Sequence, residues 1–189
     1  QFTLLDTTYT HGLVGKRWKL TESTGQARKE TYFDALMRPV ITRSYVNGPT
    51  EANLSVELRQ FDSGNRVTYN SYPTADVLSV DMQELPDGVH SVYDVLGRVT
   101  SAQADSELGV LETLTEYGTP AEPFVQQVKS PKLQITKTRF HVLGSPDEAR
   151  PSQILAPENV TTRIERDLFG KPTSIVRSGT WAGAPLSVT

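Results

Sequence analysis

The sequence predicts an all-β protein, an antiparallel meander of β-hairpins. Three observations lead there. Helical periodicity is nearly absent along the 189 residues. Short runs of β-branched and aromatic residues alternate with polar ones. Clusters of Gly, Pro, Asn and Asp break those runs at close intervals. Apolar residues make up 37% of the chain and aromatics 8%, a composition better suited to sheets wet on one face than to a thick closed core.

Taken in order, the elements are these. Leu54, Val56 and Leu58 share one face of a strand, with Glu57 and Arg59 on the other. Val67 and Tyr69 alternate with Arg66, Thr68 and Asn70, and Leu78, Val80 and Met82 with Ser79 and Asp81. Such period-two patterns describe antiparallel strands with one buried face. The stretch from Leu111 to Tyr117 is a further strand candidate of mixed pattern. Turns are predicted at Asn47-Gly48-Pro49, Pro86-Asp87-Gly88 and Gly144-Ser145-Pro146. Between residues 118 and 132, Pro120, Pro123 and Pro131 interrupt any strand and suggest an insertion or linker. Helix is expected only in scraps such as Pro146-Asp147-Glu148-Ala149.

Charge and composition exclude several classes. The net charge is −3 and charged residues are 22%, without a strongly basic run, so nothing attracts nucleic acid electrostatically. The densest basic cluster, Gly15-Lys16-Arg17-Trp18-Lys19, reads as a solvated strand end. The absence of cysteine excludes a disulfide scaffold and Cys-rich zinc sites. No apolar run approaches the ~20 residues that a membrane helix needs. Beginning at Gln1 and ending at Thr189, the sequence reads as a single segment of something longer.

A short motif recurs: aromatic, Asp, two variable residues, Gly, Arg, Val. Tyr93-Asp94-Val95-Leu96-Gly97-Arg98-Val99 is its cleanest copy. Phe61-Asp62-Ser63-Gly64-Asn65-Arg66-Val67 places Asn in the Gly slot, and Phe33-Asp34-Ala35-Leu36-Met37-Arg38-Pro39 keeps the aromatic, the Asp and the Arg. Phe140-His141-Val142-Leu143-Gly144-Ser145-Pro146 keeps the aromatic and the Gly; Arg166-Asp167-Leu168-Phe169-Gly170-Lys171-Pro172 keeps Asp, Gly and a basic residue. A sixth, much weaker copy starts at His11. The Asp slots at 34, 62, 94, 141 and 167 are separated by 28, 32, 47 and 26 residues. The longest interval carries an insertion or hides a decayed copy.

The residue types suit a three-residue hairpin loop, in which a type I turn is followed by a residue in the left-handed region. Gly97, Asn65, Gly144 and Gly170 sit where that residue falls, and Gly and Asn adopt the region with least penalty. An Asp at the first turn position accepts hydrogen bonds from backbone N–H groups about two residues on. Met37 either carries strain at a positive φ or belongs to a turn of another kind; the second is expected. His141 takes a turn role in the Asp slot.

By these units the chain resembles YD-repeat proteins: Rhs proteins, the cocoon-forming components of insecticidal toxin complexes, and the teneurin shell. The resemblance runs from about Phe33 to Lys171. It implies a β-ribbon that curves into an arc of a hollow β-shell enclosing a cargo polypeptide, often a toxin. It also implies neighbouring YD repeats and a cargo or effector domain of the same parent as partners, and a secreted or cell-surface bacterial setting. One departure is plain: no Asp-Pro dipeptide occurs, so the self-cleaving region of toxin-releasing Rhs shells cannot be assigned here.

Chemistry is sparse by comparison. His11, His90 and His141 share no metal-ligand spacing. Gly144-Ser145-Pro146 is no nucleophile elbow, because Pro stands where a helix should open. Asp62-Ser63-Gly64-Asn65 faintly resembles a calcium loop but lacks the later Glu. A glycosidase carboxylate pair is weighed against Asp residues already explained by turns. Trp18, Trp181 and Tyr72 could stack on a sugar, although aromatics packed along a β-wall explain them more simply. Asn53-Leu54-Ser55 and Asn159-Val160-Thr161 are formal sequons. The expectation is a non-enzymatic scaffold without cofactor or metal, able to self-associate through unpaired edge strands. A carbohydrate-binding adhesion module is the alternative.

Overall fold

In the computed structural model of the chain, the described residues are all except 10–12, 51, 76–84, 143–145, 182–183 and 189. They form fifteen strands and one 3-10 turn, and strand order follows chain order. The strands are β1 (Phe2–Tyr9), β2 (Leu13–Thr24), β3 (Ala27–Phe33), β4 (Pro39–Val46), β5 (Ala52–Phe61), β6 (Val67–Ser71), β7 (Gly88–Tyr93) and β8 (Val99–Ala104). They continue with β9 (Leu111–Tyr117), β10 (Val125–Lys129), β11 (Ile135–Val142), β12 (Pro146–Ala156), β13 (Val160–Arg166), β14 (Pro172–Trp181) and β15 (Ala184–Val188). The all-β antiparallel meander expected from the sequence is what the chain forms. It divides into two compact units, Gln1–Arg98 with Ala102–Leu111, and Val99–Ser101 with Glu112–Thr189.

The first unit has a core on one face of its sheet. Register places Tyr32 opposite Ile41 and Ile41 opposite Leu58, with Arg43 opposite both Glu30 and Val56. Because facing residues in an antiparallel ladder share a side, Tyr32, Ile41, Val56 and Leu58 line one face, joined by Tyr69 of β6. Val56 is fully buried, and Ile41 and Tyr69 are 1% exposed. Leu54 packs against the cluster, completing the alternation read in β5. The same face holds a buried carboxylate, Glu30. It accepts from Lys19 Nζ at 2.8 Å, Tyr32 Oη at 3.0 Å and Arg43 Nη1 at 3.0 Å. Burial pushes the Glu30 carboxyl up, but these partners outweigh it and hold it below its ordinary value.

β6 leaves the ladder early. Ser71 Oγ, rather than a backbone carbonyl, accepts from Leu58 N at 2.8 Å, and Thr74 then rejoins β5 by reciprocal bonds with Val56. Opposite Ser71 sits Gly88. A Cβ there would come within 2.8 Å of Ser71 Cα and Tyr69 Cε2, so the close approach of two backbones requires glycine. Tyr69 Oη donates to the Pro86 carbonyl; burial, with Asp105 and Asp87, pushes that phenol up to about 12. The strand expected over Leu78, Val80 and Met82 lies outside the described residues.

The second unit holds no fully buried residue among those described. Two expectations change in it. The stretch 146–149, expected to be a scrap of helix, begins strand β12, which pairs with β11 through Pro146 opposite Val142. Pairing across the ladder overrides the weak local helix signal. The Pro-rich stretch 118–132 contains strand β10, hydrogen-bonded to both β9 and β11. Its prolines flank the strand instead of interrupting it, a position where no ladder N–H is needed.

Candidate functional site

The recurring motif forms a hairpin turn with a built-in clamp. In the turn after β3, Asp34 N donates to Arg38 O at 3.0 Å and Met37 N donates to Asp34 O at 3.1 Å. The Asp34 carboxylate is used on both oxygens. Oδ1 accepts from the N–H groups of Leu36 and Arg38, both at 2.9 Å, and Oδ2 accepts Arg38 Nε at 2.6 Å. Asp62 and Asp94 repeat the arrangement, with Arg66 Nε at 2.7 Å and Arg98 Nε at 2.8 Å on their Oδ2 atoms. The residue before the Arg is left-handed in each turn: Met37 at φ 60°, Asn65 at 63° and Gly97 at 81°.

Met37 is a correction. Its side chain pointed to a turn of another kind, yet the turn has the same hydrogen bonds and the same positive φ as the Asn and Gly turns. The same Asp–Arg clamp closes the loop with Met, Asn or Gly in the left-handed slot, so methionine is carried in a conformation it disfavours.

The arginine also reaches beyond its own turn. Arg38 Nη1 donates to Asp62 O at 3.0 Å, and the guanidinium carbon lies 4.8 Å from the centre of the Phe61 ring. Arg66 does the same one hairpin later, to Asp94 O at 2.9 Å and to the Tyr93 ring at 4.9 Å. Each of these two arginines therefore binds its own Asp, the Asp carbonyl of the next turn and the aromatic that precedes it. Tyr93 Oη returns the link by donating to Val67 O at 2.7 Å. The three turns join β3 to β4, β5 to β6 and β7 to β8, every second connection along that run of strands. The motif by itself assigns no role to the Arg or to this pairing. The signal lies in the fixed order of aromatic, Asp and Arg at intervals close to two strands.

Electrostatics follow from the geometry. The Arg66 and Arg98 backbone N–H groups hold the Asp62 and Asp94 carboxyls below the ordinary aspartate value, helped by the paired guanidinium groups. Burial pushes the Asp34 carboxyl up, and the hydrogen bonds from Arg38 and Leu36 outweigh it to the same final direction.

The degraded copies diverge. Asp167 keeps the turn, with Asp167 N donating to Lys171 O at 2.9 Å, Oδ1 accepting from Phe169 and Lys171, and Gly170 at φ 80°. A side chain at Gly170 would require the flexible Arg150 guanidinium to shift and would be strained at this φ in any case. Phe140 and His141 need a second correction. Strand β11 runs through both to Val142, and His141 lies opposite Asp147 of β12. His141 is a strand residue, not the first residue of a turn, because a bulge at Phe140 shifts the register. Gly144 and the His11 copy fall on or run through residues outside those described.

The long interval between motifs contains three turns that the motif does not mark, the first at residues 105–110, between β8 and β9. Residues 118–124 join β9 to β10 and carry none of its residues in order; Glu122 is held there by Lys137 and Arg139. Ser130-Pro131-Lys132-Leu133-Gln134 has the motif's loop without its sequence. Ser130 N donates to Gln134 O at 2.9 Å, Leu133 N to Ser130 O at 2.8 Å, and Leu133 stands at φ 61°. Ser in the Asp slot followed by Pro at the next turn position is the signal the sequence carries for it.

Trp18 belongs to the first unit and Trp181 to the second. Tyr72 Oη is bonded to Asp105 O at 3.0 Å. Among the described residues no three His, Asp or Glu side chains converge as metal ligands, and no helix is long and apolar enough to cross a membrane. No protein-family model matches the chain, and no curated protein matches it.

Proposed function

We propose that the chain is a section of a YD-repeat shell, a non-enzymatic scaffold that helps to enclose a cargo polypeptide of its parent protein. The observation that carries this reading is the relay of Arg38 and Arg66. Each ties one hairpin to the next through a carbonyl and an aromatic ring. Such a relay devotes the motif's recurring chemistry to joining neighbours: the Asp carboxylates are occupied by their own turns. A ribbon built this way extends by adding hairpins, each needing only its neighbours, as in other repeat architectures.

Limited proteolysis of the intact parent chain tests the reading. If it is right, the cargo region resists protease while folded repeats surround it, and electron micrographs show hollow particles. A cargo region digested at once, or solid particles without a lumen, overturns it.

A further inference from the structure

We propose that Asn47 is a site of spontaneous succinimide formation, converting over time to aspartyl and isoaspartyl residues. The reaction needs a backbone nitrogen free to attack its neighbour's side chain. The Gly48 amide nitrogen loses its proton and bonds to Asn47 Cγ; the bond from Cγ to the side-chain nitrogen breaks and ammonia leaves. Water then opens the five-membered ring at either carbonyl. No oxidant, metal or enzyme is required.

Residues 47–50, in the connection between β4 and β5, are exposed and outside regular structure. Asn47 N is anchored to Gln26 O at 2.8 Å, while the Gly48 N–H has no acceptor among the described residues. Without a Cβ, glycine leaves the approach to Cγ uncrowded. The other four asparagines precede residues with side chains: Leu54, Arg66, Ser71 and Val160. Asn53, Asn65 and Asn159 are held at positive φ, and the Asn70 side chain bonds to Arg59 Nε at 2.8 Å and to Ser71 O at 3.1 Å.

The sharpest contrast is Asp87-Gly88, the comparable acidic sequence, whose aspartate could form the same ring by losing water. There the nitrogen is locked. Gly88 is buried, opens β7 opposite Ser71, and donates to Asp105 Oδ2 at 3.0 Å. Both sites precede glycine, but the glycine nitrogen is engaged at Gly88 and has no described acceptor at Gly48.

The test is to hold the folded chain at mildly alkaline pH and map peptides by mass spectrometry, with isoaspartyl methyl transfer as a second readout. Conversion at Asn47 should run many-fold faster than at any other asparagine, with no isoaspartate at Asp87. In denaturant, Asp87 should begin to convert as its amide is released. Gly48→Ala should slow conversion at Asn47 several-fold, with an unchanged circular dichroism spectrum showing that the fold is kept. The proposal fails if Asn47 stays intact in the folded chain while the denatured chain converts it, or if another asparagine keeps pace.

Discussion

Met37 and Gly97 occupy equivalent positions with very different tolerance for them. Both stand at positive φ, a region that is costly for side-chain-bearing residues by roughly 1–2 kcal/mol. At Gly97 an added Cβ would meet only Arg66 side-chain atoms at 3.9 Å, so a substitution acts through the backbone and not through a clash. Gly97→Val is expected to destabilise by about 1 kcal/mol or more, and Met37→Gly to stabilise by up to about 1 kcal/mol. Denaturant midpoints of the two variants should move in opposite directions. Movement in the same direction would show that the left-handed slot is not what limits these turns. Gly97 is legible from the motif alone, because glycine states the backbone conformation it serves. Met37 misleads, because its turn keeps the Asp–Arg clamp and the positive φ despite the preference of the residue.

At the scale of the hairpin, the question is whether the Arg relay is an energetic link or mere proximity. A double-mutant cycle of Arg66→Met and Tyr93→Leu should give a coupling of about 0.5–1 kcal/mol, the range for a partly exposed cation–π pair. A coupling near zero would remove the relay as a cause of hairpin stacking. Acid offers a second test. Asp34, Asp62 and Asp94 have carboxyls held below their ordinary value in the folded state. Their stabilisation is therefore complete above that ordinary value and is lost as pH falls through the depressed folded-state values. An acid titration of stability should show the loss below the ordinary aspartate range, diminished in Asp62→Asn. A variant titrating like the parent would mean that the clamps contribute little.

On the scale of the molecule, the two units differ in what holds them. The first has Tyr32, Ile41, Val56, Leu58 and Tyr69 buried on one face; the second has no fully buried residue among those described. Hydrogen exchange should protect β4 and β5 more strongly than β10 and β13, because slow exchange follows buried apolar contacts. Ile41→Ala should cost about 2–5 kcal/mol in the first unit. Equal protection across both units would show that the second has support not visible in its side-chain burial.

The sequence by itself determined the strand class, the alternation in β5 and β6, and the residues of the three good turns. Those are local properties: period-two burial, and the few residues that tolerate a left-handed backbone. Only the tertiary structure decided the rest. It placed His141 inside a strand through a bulge, because register depends on the partner strand and not on the turn's own residues. It made β12 from a stretch with helical bias and set β10 between prolines. It also gave Arg38 and Arg66 their acceptors, which lie 24 and 28 residues further along the chain. A contact of that span is specified only when the intervening strands fold back, which no motif can state on its own.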